Sequence, residues 1–155
     1  MPRRPRLSTG GIAYHVLNRR VGRLELFEKP ADYFSFEKIL AEAHDRTGIR
    51  IAAYCLMPNH WHLLLWPRTD GELSEVMRWI TVTHSQRWHA HRHSSGTGPV
   101  YQGRFKSFPV SDRRAFSCSG EICRTQCSTG EIGRARRRVA MVKHLSDCPT
   151  GREAC

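Results

Sequence analysis

Aromatic side chains almost vanish after residue 110, and this uneven distribution limits where the chain can build a core. All four Trp, all four Tyr and five of the six Phe precede residue 111, whereas residues 111–155 hold one aromatic side chain, Phe116, and five of the six Cys. A segment with so few large apolar side chains cannot offset the entropy lost on folding. We therefore expect one domain over residues 1–110 and a disordered or aberrant tail over residues 111–155.

The charge of the chain favours an anionic partner. It carries 25 Lys and Arg against 14 Asp and Glu, a net charge of +11. A surplus of this size is typical of proteins that bind nucleic acid, although a basic surface that serves only solubility is the alternative. No run approaches the roughly 18 apolar residues of a membrane span, and the N-terminus has no signal-like apolar run. We expect a cytoplasmic protein with reduced cysteines and no disulfides.

Hydrophobic periodicity in residues 1–110 predicts six elements. A strand over residues 12–18 is followed by a helix that begins at Pro30 and ends before Gly48, two residues suited to those helix ends. Two strands, residues 50–57 and 60–66, flank a turn at Pro58-Asn59, and a second helix from Glu72 precedes a last strand over residues 104–110. This order predicts an α+β fold, a ferredoxin-like antiparallel sheet with its helices on one face.

One strand of this predicted sheet carries a candidate metal site. Side chains alternate along a strand, so His60 and His62 project from one face and Trp61 projects from the other. Two imidazoles can hold a divalent metal and leave coordination positions for water or a phosphate oxygen. A pair of histidines that are exposed at the surface, or that have their hydrogen bonds satisfied within the protein, is the alternative. Four further histidines, on the second helix and its polar end, are interpreted as solvated: His84, His89, His91 and His93.

Three ordered segments resemble one family. The sequence MPNHWHLL at residues 57–64 resembles the histidine-hydrophobe-histidine strand of single-tyrosine HUH transposases of insertion sequences, and most closely their REP-associated tyrosine transposase branch. The segments YHVLNR at residues 14–19 and YQGRFKS at residues 101–107 resemble two further family segments in the right order. The resemblance covers about residues 8–110.

The resemblance implies a DNA transposase that binds single-stranded or hairpin DNA. His60 and His62 would hold a divalent metal, Mg or Mn, against the scissile phosphate, and a tyrosine hydroxyl would attack to leave a 5′-phosphotyrosine link. Some family members are homodimers. Cations beside aromatic rings suit single strands, because charge meets phosphate while rings stack on bases. The predicted DNA-binding residues are Arg19, Arg20, Tyr101, Gln102, Arg104 and Lys106.

The family's catalytic tyrosine is missing from this sequence. In the family it lies on a helix after the last strand, but no Tyr follows Tyr101. Residues 121–127, EICRTQC, can be encoded so that deletion of one base yields RYVERNA, which resembles the family's catalytic helix with Tyr and Asn on one face. We therefore predict a shifted reading frame from about residues 111–113, and an incomplete HUH domain that is defective in cleavage.

Two alternatives of other classes remain at this stage. The chain can be a noncatalytic nucleic-acid-binding remnant or a domesticated DNA-binding domain, which would bind hairpins without cleaving them. It can also be a metal-dependent phosphodiesterase that uses water activated at His60 and His62 and forms no covalent intermediate.

Overall fold

The computed structural model describes residues 8–110 and 138–140. The helices are α1 (Pro30–Thr47) and α2 (Glu72–Arg92), and a short 3-10 turn spans Val21–Arg23. Within these residues the strands are β1 (Ala13–Arg19), β2 (Arg50–Met57), β3 (His60–Trp66), β4 (Lys106–Val110) and β5 (Arg138–Ala140). They form one sheet in the order β4-β1-β3-β2-β5.

All strand pairs are antiparallel, and the first four strands have the predicted ferredoxin-like arrangement. The last predicted strand begins two residues later than expected, at Lys106, and before it Tyr101 forms an isolated bridge with Arg20. The fifth strand was not predicted; it pairs with β2 at the opposite edge of the sheet from β4. The expectations of a disordered tail and a shifted frame otherwise concern residues outside those described.

Local sequence explains where α1 begins and ends. Pro30 occupies the first turn, where its missing N–H costs no hydrogen bond. The Asp32 carboxylate accepts hydrogen bonds from the backbone N–H groups of Glu28 and Lys29, at 2.9 and 3.1 Å. Gly48 ends the helix in the left-handed region, at φ 67°, where a side chain would be strained.

The core lies between one face of the sheet and the two helices. Val16, Leu56, Trp61, Leu63 and Leu65 project from the sheet into it. The helices contribute Phe36, Ile39, Leu40, Leu73, Met77 and Ile80. This leaves the other face of the sheet without a helix among the described residues. In that same part of the chain, neither helix is long and apolar enough to cross a membrane.

Candidate metal centre and nucleic-acid interface

His60 and His62 lie on the face of the sheet that points away from both helices. Alternation along β3 places them there because Trp61, between them, is fully buried in the core. The two imidazole centroids are 5.1 Å apart. The cross-strand partners Leu17 on β1 and Cys55 on β2 put further side chains beside His62 on the same face. We call this surface the histidine face.

The hairpin turn fixes the protonated nitrogen of His60. Its Nδ1 is hydrogen-bonded to Oδ1 of Asn59, and the amide of Asn59 is oriented by its Nδ2, 3.5 Å from the carbonyl oxygen of Arg23. Because an amide oxygen only accepts, Nδ1 of His60 is the donor. A neutral His60 ring therefore has its free electron pair on Nε2, the atom that could ligate a metal.

His62 holds a buried nitrogen without a partner. Its side chain is 7% exposed, and its Nδ1 lies 2.8 Å from Nε2 of His15. Its other nitrogen, Nε2, is buried and has no hydrogen bond to the part of the chain that the structure describes. Among the described residues only Ser8 Oγ shares this condition. A buried polar atom without a partner is costly, so its presence points to a ligand.

Electrostatics keeps all three rings neutral. The pKa of His62 is lowered to about 4. Burial is the main cause, and the neighbouring His15, His60 and Arg19 make smaller contributions in the same direction. Burial is also the main cause that lowers the pKa of His60, with a contribution from Arg19, and burial lowers the pKa of His15. Metals bind the neutral imidazole, so these rings are already in the binding form near pH 7.

The donor set fits part of a metal site. His60 and His62 offer two neutral imidazoles on one side of one strand, and Nε2 of His62 lacks any other partner. Within residues 8–110 and 138–140, no group of three or more His, Cys, Asp or Glu side chains could hold a metal. A cation here would therefore need water, phosphate or another donor to complete its coordination.

A basic cleft adjoins the histidine face. Its volume is about 320 Å³, and it is lined by Leu17, Asn18, Arg19, Gln102, Gly103, Arg104 and Lys106. Leu17 links the cleft to the histidines, because it pairs with His62 on one side and Lys106 on the other. The structure thus brings together four of the six predicted DNA-binding residues: Arg19, Gln102, Arg104 and Lys106. All four are exposed.

The other two predicted DNA-binding residues lie elsewhere. Tyr101 is 8% exposed, and its hydroxyl accepts a hydrogen bond from Trp61 Nε1 at 3.0 Å and lies 2.6 Å from His84 Nδ1. Its ring is part of the core, so it offers no face to a base. The guanidinium of Arg20 lies 4.4 Å from the ring centroid of Trp88 and 3.8 Å from the Glu28 carboxylate, where it joins structural elements.

His84 also differs from its interpretation as a solvated histidine. It faces the core from α2 and is buried against Phe27, Phe36 and Tyr101. The helical spacing of α2 carries a signal for this position, because His84 lies between Ile80 and Trp88 on the buried face of the helix. The contact with the Tyr101 hydroxyl has no such local signal. His91 and His93 are exposed as expected, and His89 is half-buried.

No tyrosine of the chain lies on the histidine face. The chain has four, all within the described residues. Tyr14 and Tyr54 pair with Leu65 and Leu63 and so share the helix side of the sheet. Their hydroxyls meet the backbone of Thr9 and the carboxylate of Glu37 on α1. Tyr33 and Tyr101 are buried in the core, so His60 and His62 have no tyrosine hydroxyl beside them.

Sequence reasoning missed two residues of this site, His15 and Asn59. Nε2 of His15 is hydrogen-bonded to Nδ1 of His62, and Oδ1 of Asn59 is hydrogen-bonded to Nδ1 of His60. Alternation in β1 does carry a signal for His15, because Tyr14 and Val16 are apolar core residues and the residue between them must face the other way. Asn59 was interpreted only as a turn residue.

Comparisons with known proteins agree with this fold. The family model described as "Transposase IS200 like" matches residues 8–118. No curated protein matches the sequence. The chain is similar to the solved structure of a REP-associated tyrosine transposase bound to a REP hairpin, with 17% identity, a TM-score of 0.61, and coverage of 83% of this chain and 73% of that one.

A second solved structure is similar as well. It is a candidate transposase from Deinococcus radiodurans R1, with 16% identity, a TM-score of 0.55, and coverage of 78% of this chain and 95% of that one. At these identities the two structures show a shared fold and nothing more specific. The family match, in contrast, spans more than two thirds of the sequence.

Proposed function

This chain belongs to the IS200-like transposase family, and we propose that it binds hairpin or single-stranded DNA and a divalent metal without forming a phosphotyrosine link. One observation carries the proposal: two neutral histidines and a basic cleft share a side of the sheet on which the chain places none of its tyrosines. The cytoplasmic location and homodimerisation remain predictions; light scattering of the purified chain tests the second.

The basic cleft supports binding to a phosphate backbone. Arg19, Arg104 and Lys106 are exposed around it, and none of them has an ion pair with an acidic side chain among the described residues. Unpaired cations around a concave surface release counterions when DNA binds. The similar REP-associated transposase is bound to a REP hairpin, which motivates hairpin DNA as the ligand to test.

His60 and His62 support metal binding beside that cleft. We propose that their Nε2 atoms hold Mg or Mn. A divalent cation bound there would polarise an oxygen of the DNA phosphate. The chain's own contribution is to keep both rings neutral and to position Arg19, the cross-strand partner of His60, next to the same phosphate.

A test for a covalent adduct separates this proposal from active transposition. Purified chain is incubated with Mn and a labelled single-stranded oligonucleotide that contains a hairpin, and then denatured and separated by electrophoresis. We expect no covalent adduct from this chain. A version with the shifted frame corrected, which regains a tyrosine after β4, is the positive control. An adduct formed by the present chain would refute the proposal, and turnover without an adduct would favour the phosphodiesterase alternative.

A salt titration tests the basic cleft. Fluorescence anisotropy measures hairpin binding at several salt concentrations for the parent, Arg104→Gln and Lys106→Gln. Each substitution removes one phosphate contact, so we expect weaker binding and a log–log salt slope that is shallower by about one. Lys38→Gln is the matched control, because Lys38 is exposed on α1, on the far side of the sheet. Equal effects of all three substitutions would mean that the cleft is not the DNA site.

A further inference from the structure

The contact between His15 and His62 joins a half-buried histidine to a candidate metal ligand. Nε2 of His15 lies 2.8 Å from Nδ1 of His62, and the ring planes are inclined by 14° with centroids 5.0 Å apart, so the two rings lie edge to edge and nearly in one plane. His15 pairs with Leu64 across the strands, so it reaches the ring of His62 along the diagonal. A proton must lie between the two nitrogens, and the nitrogen to which it is covalently bound determines what His62 can bind.

The two possible positions of this proton have different consequences for Nε2 of His62. If His15 donates, the proton of neutral His62 resides on Nε2, which becomes a buried donor without an acceptor. If His62 donates from Nδ1, its Nε2 has a free electron pair that a cation can use. Only the second arrangement gives the unpartnered atom a possible ligand of positive charge.

His60 already shows the second arrangement. Its Nδ1 donates to Oδ1 of Asn59, so its Nε2 has the free pair. Metal-binding histidines commonly donate their other N–H to a neighbouring acceptor, which fixes the tautomer and the ring orientation. A matching arrangement at His62 would present two equivalent donor atoms from one side of β3.

We propose that His15 is a positioning residue that accepts the Nδ1 proton of His62 and holds its Nε2 free for a divalent cation. The inference rests on the proposed function, because the metal is the one proposed for His60 and His62. His15 itself does not ligate the metal, because its Nε2 accepts the proton of His62 and the proton of its own neutral ring then occupies Nδ1.

The tautomer of His62 can be measured without any metal. Long-range proton–nitrogen NMR spectra of the metal-free chain, labelled with ¹⁵N-histidine, distinguish a protonated Nδ1 from a protonated Nε2. We expect His62 to carry its proton on Nδ1. A proton on Nε2 in the parent chain would overturn the proposal directly, and this outcome requires no variant to fold.

Variants of His15 then separate the loss of the hydrogen bond from the loss of an aromatic side chain at this position. His15→Phe keeps an aromatic ring against His62 but removes the acceptor, and His15→Gln restores an acceptor. We expect His15→Phe to lose the Nδ1 preference of His62 and to bind Mn roughly 10- to 100-fold more weakly by calorimetry, with most of the loss recovered in His15→Gln. His91→Phe, at an exposed histidine on α2, is the matched control.

The controls separate failure of this inference from failure of the proposed function. If the parent chain takes up no Mn, or if uptake survives His60→Ala with His62→Ala, the metal site itself is wrong. If the parent binds Mn through those histidines and His15→Phe binds equally well, only the role of His15 is wrong. Thermal unfolding of each variant shows whether it is folded under the conditions of the titration.

Discussion

The two faces of β3 differ in whether their buried polar groups have hydrogen-bond partners. On the core face, Trp61 Nε1 donates to the Tyr101 hydroxyl, and that hydroxyl is hydrogen-bonded to Nδ1 of His84, at 3.0 and 2.6 Å. On the histidine face, Nε2 of His62 is buried and has no hydrogen-bond partner within residues 8–110. Complete pairing indicates a structural network, because every desolvated group is compensated, whereas an unpaired buried nitrogen indicates a place for a ligand.

Substitution of two neighbouring residues on β3, one on each face, tests this difference between the faces with the largest expected effect. Trp61 fills the core, so Trp61→Ala should lower the free energy of unfolding by about 3–5 kcal/mol through lost burial and a cavity. His62→Ala removes one hydrogen bond and an unpaired atom, so we expect a loss of about 1 kcal/mol or less. Urea-induced unfolding measures both.

Metal binding should depend on His62, the residue of the two whose substitution costs less stability. His62→Ala should abolish Mn uptake while the domain stays folded. If His62→Ala unfolds the domain as severely as Trp61→Ala, His62 is a structural residue and the distinction between the two faces is lost.

The hydroxyl of Tyr101 offers a smaller test of the core face. Tyr101→Phe keeps the ring but leaves Trp61 Nε1 and His84 Nδ1 without their partner, so stability should fall by about 1–3 kcal/mol. Tyr14→Phe is the control, because the hydrogen bonds of its hydroxyl within the described residues go to the backbone of Thr9 and are only partly buried. Chemical unfolding should rank Tyr101→Phe as the more damaging change. Equal losses would show that the network adds nothing to an ordinary tyrosine hydroxyl.

Sequence periodicity was sufficient for the sheet but not for these networks. Alternation over β3 predicted that His60 and His62 share a face, because the period of a strand is local. Tyr101 was predicted to contact DNA, because its neighbours are basic and its own segment does not reveal which way the ring points. Its burial depends on Trp61 and His84, which are 40 and 17 residues away.

The contact of His15 with His62 spans 47 residues and was missed for the same reason. Local patterns identify which residues share a strand face. They do not identify which nitrogen meets which acceptor, because that depends on strand register and on side-chain reach across neighbouring strands. The cleft residues Arg19, Arg104 and Lys106 are exposed, as a cation without a long-range partner is expected to be, and their contact with DNA stays a prediction.

Acidification should produce the smallest effect, and it reports on His84 alone when the slope is compared with a variant. The pKa of His84 is lowered from 6.5 to about 3. Burial is the main cause, and Arg92 makes a smaller contribution in the same direction. Below pH 6.5 His84 therefore binds a proton in the unfolded chain but stays neutral in the folded chain. The contribution of His84 to stability is complete above pH 6.5 and is lost as the pH falls.

This linkage gives an expected loss of about 1 kcal/mol between pH 6.5 and pH 5.5 for one histidine. His84→Gln is less stable at every pH, because its contact with Tyr101 changes, but it lacks the titrating group. Urea unfolding at several pH values should therefore give a shallower pH dependence for His84→Gln than for the parent chain by that amount. Identical slopes would mean that the folded domain accepts the proton at His84, and that the core face of β3 is less sealed than its hydrogen bonds indicate.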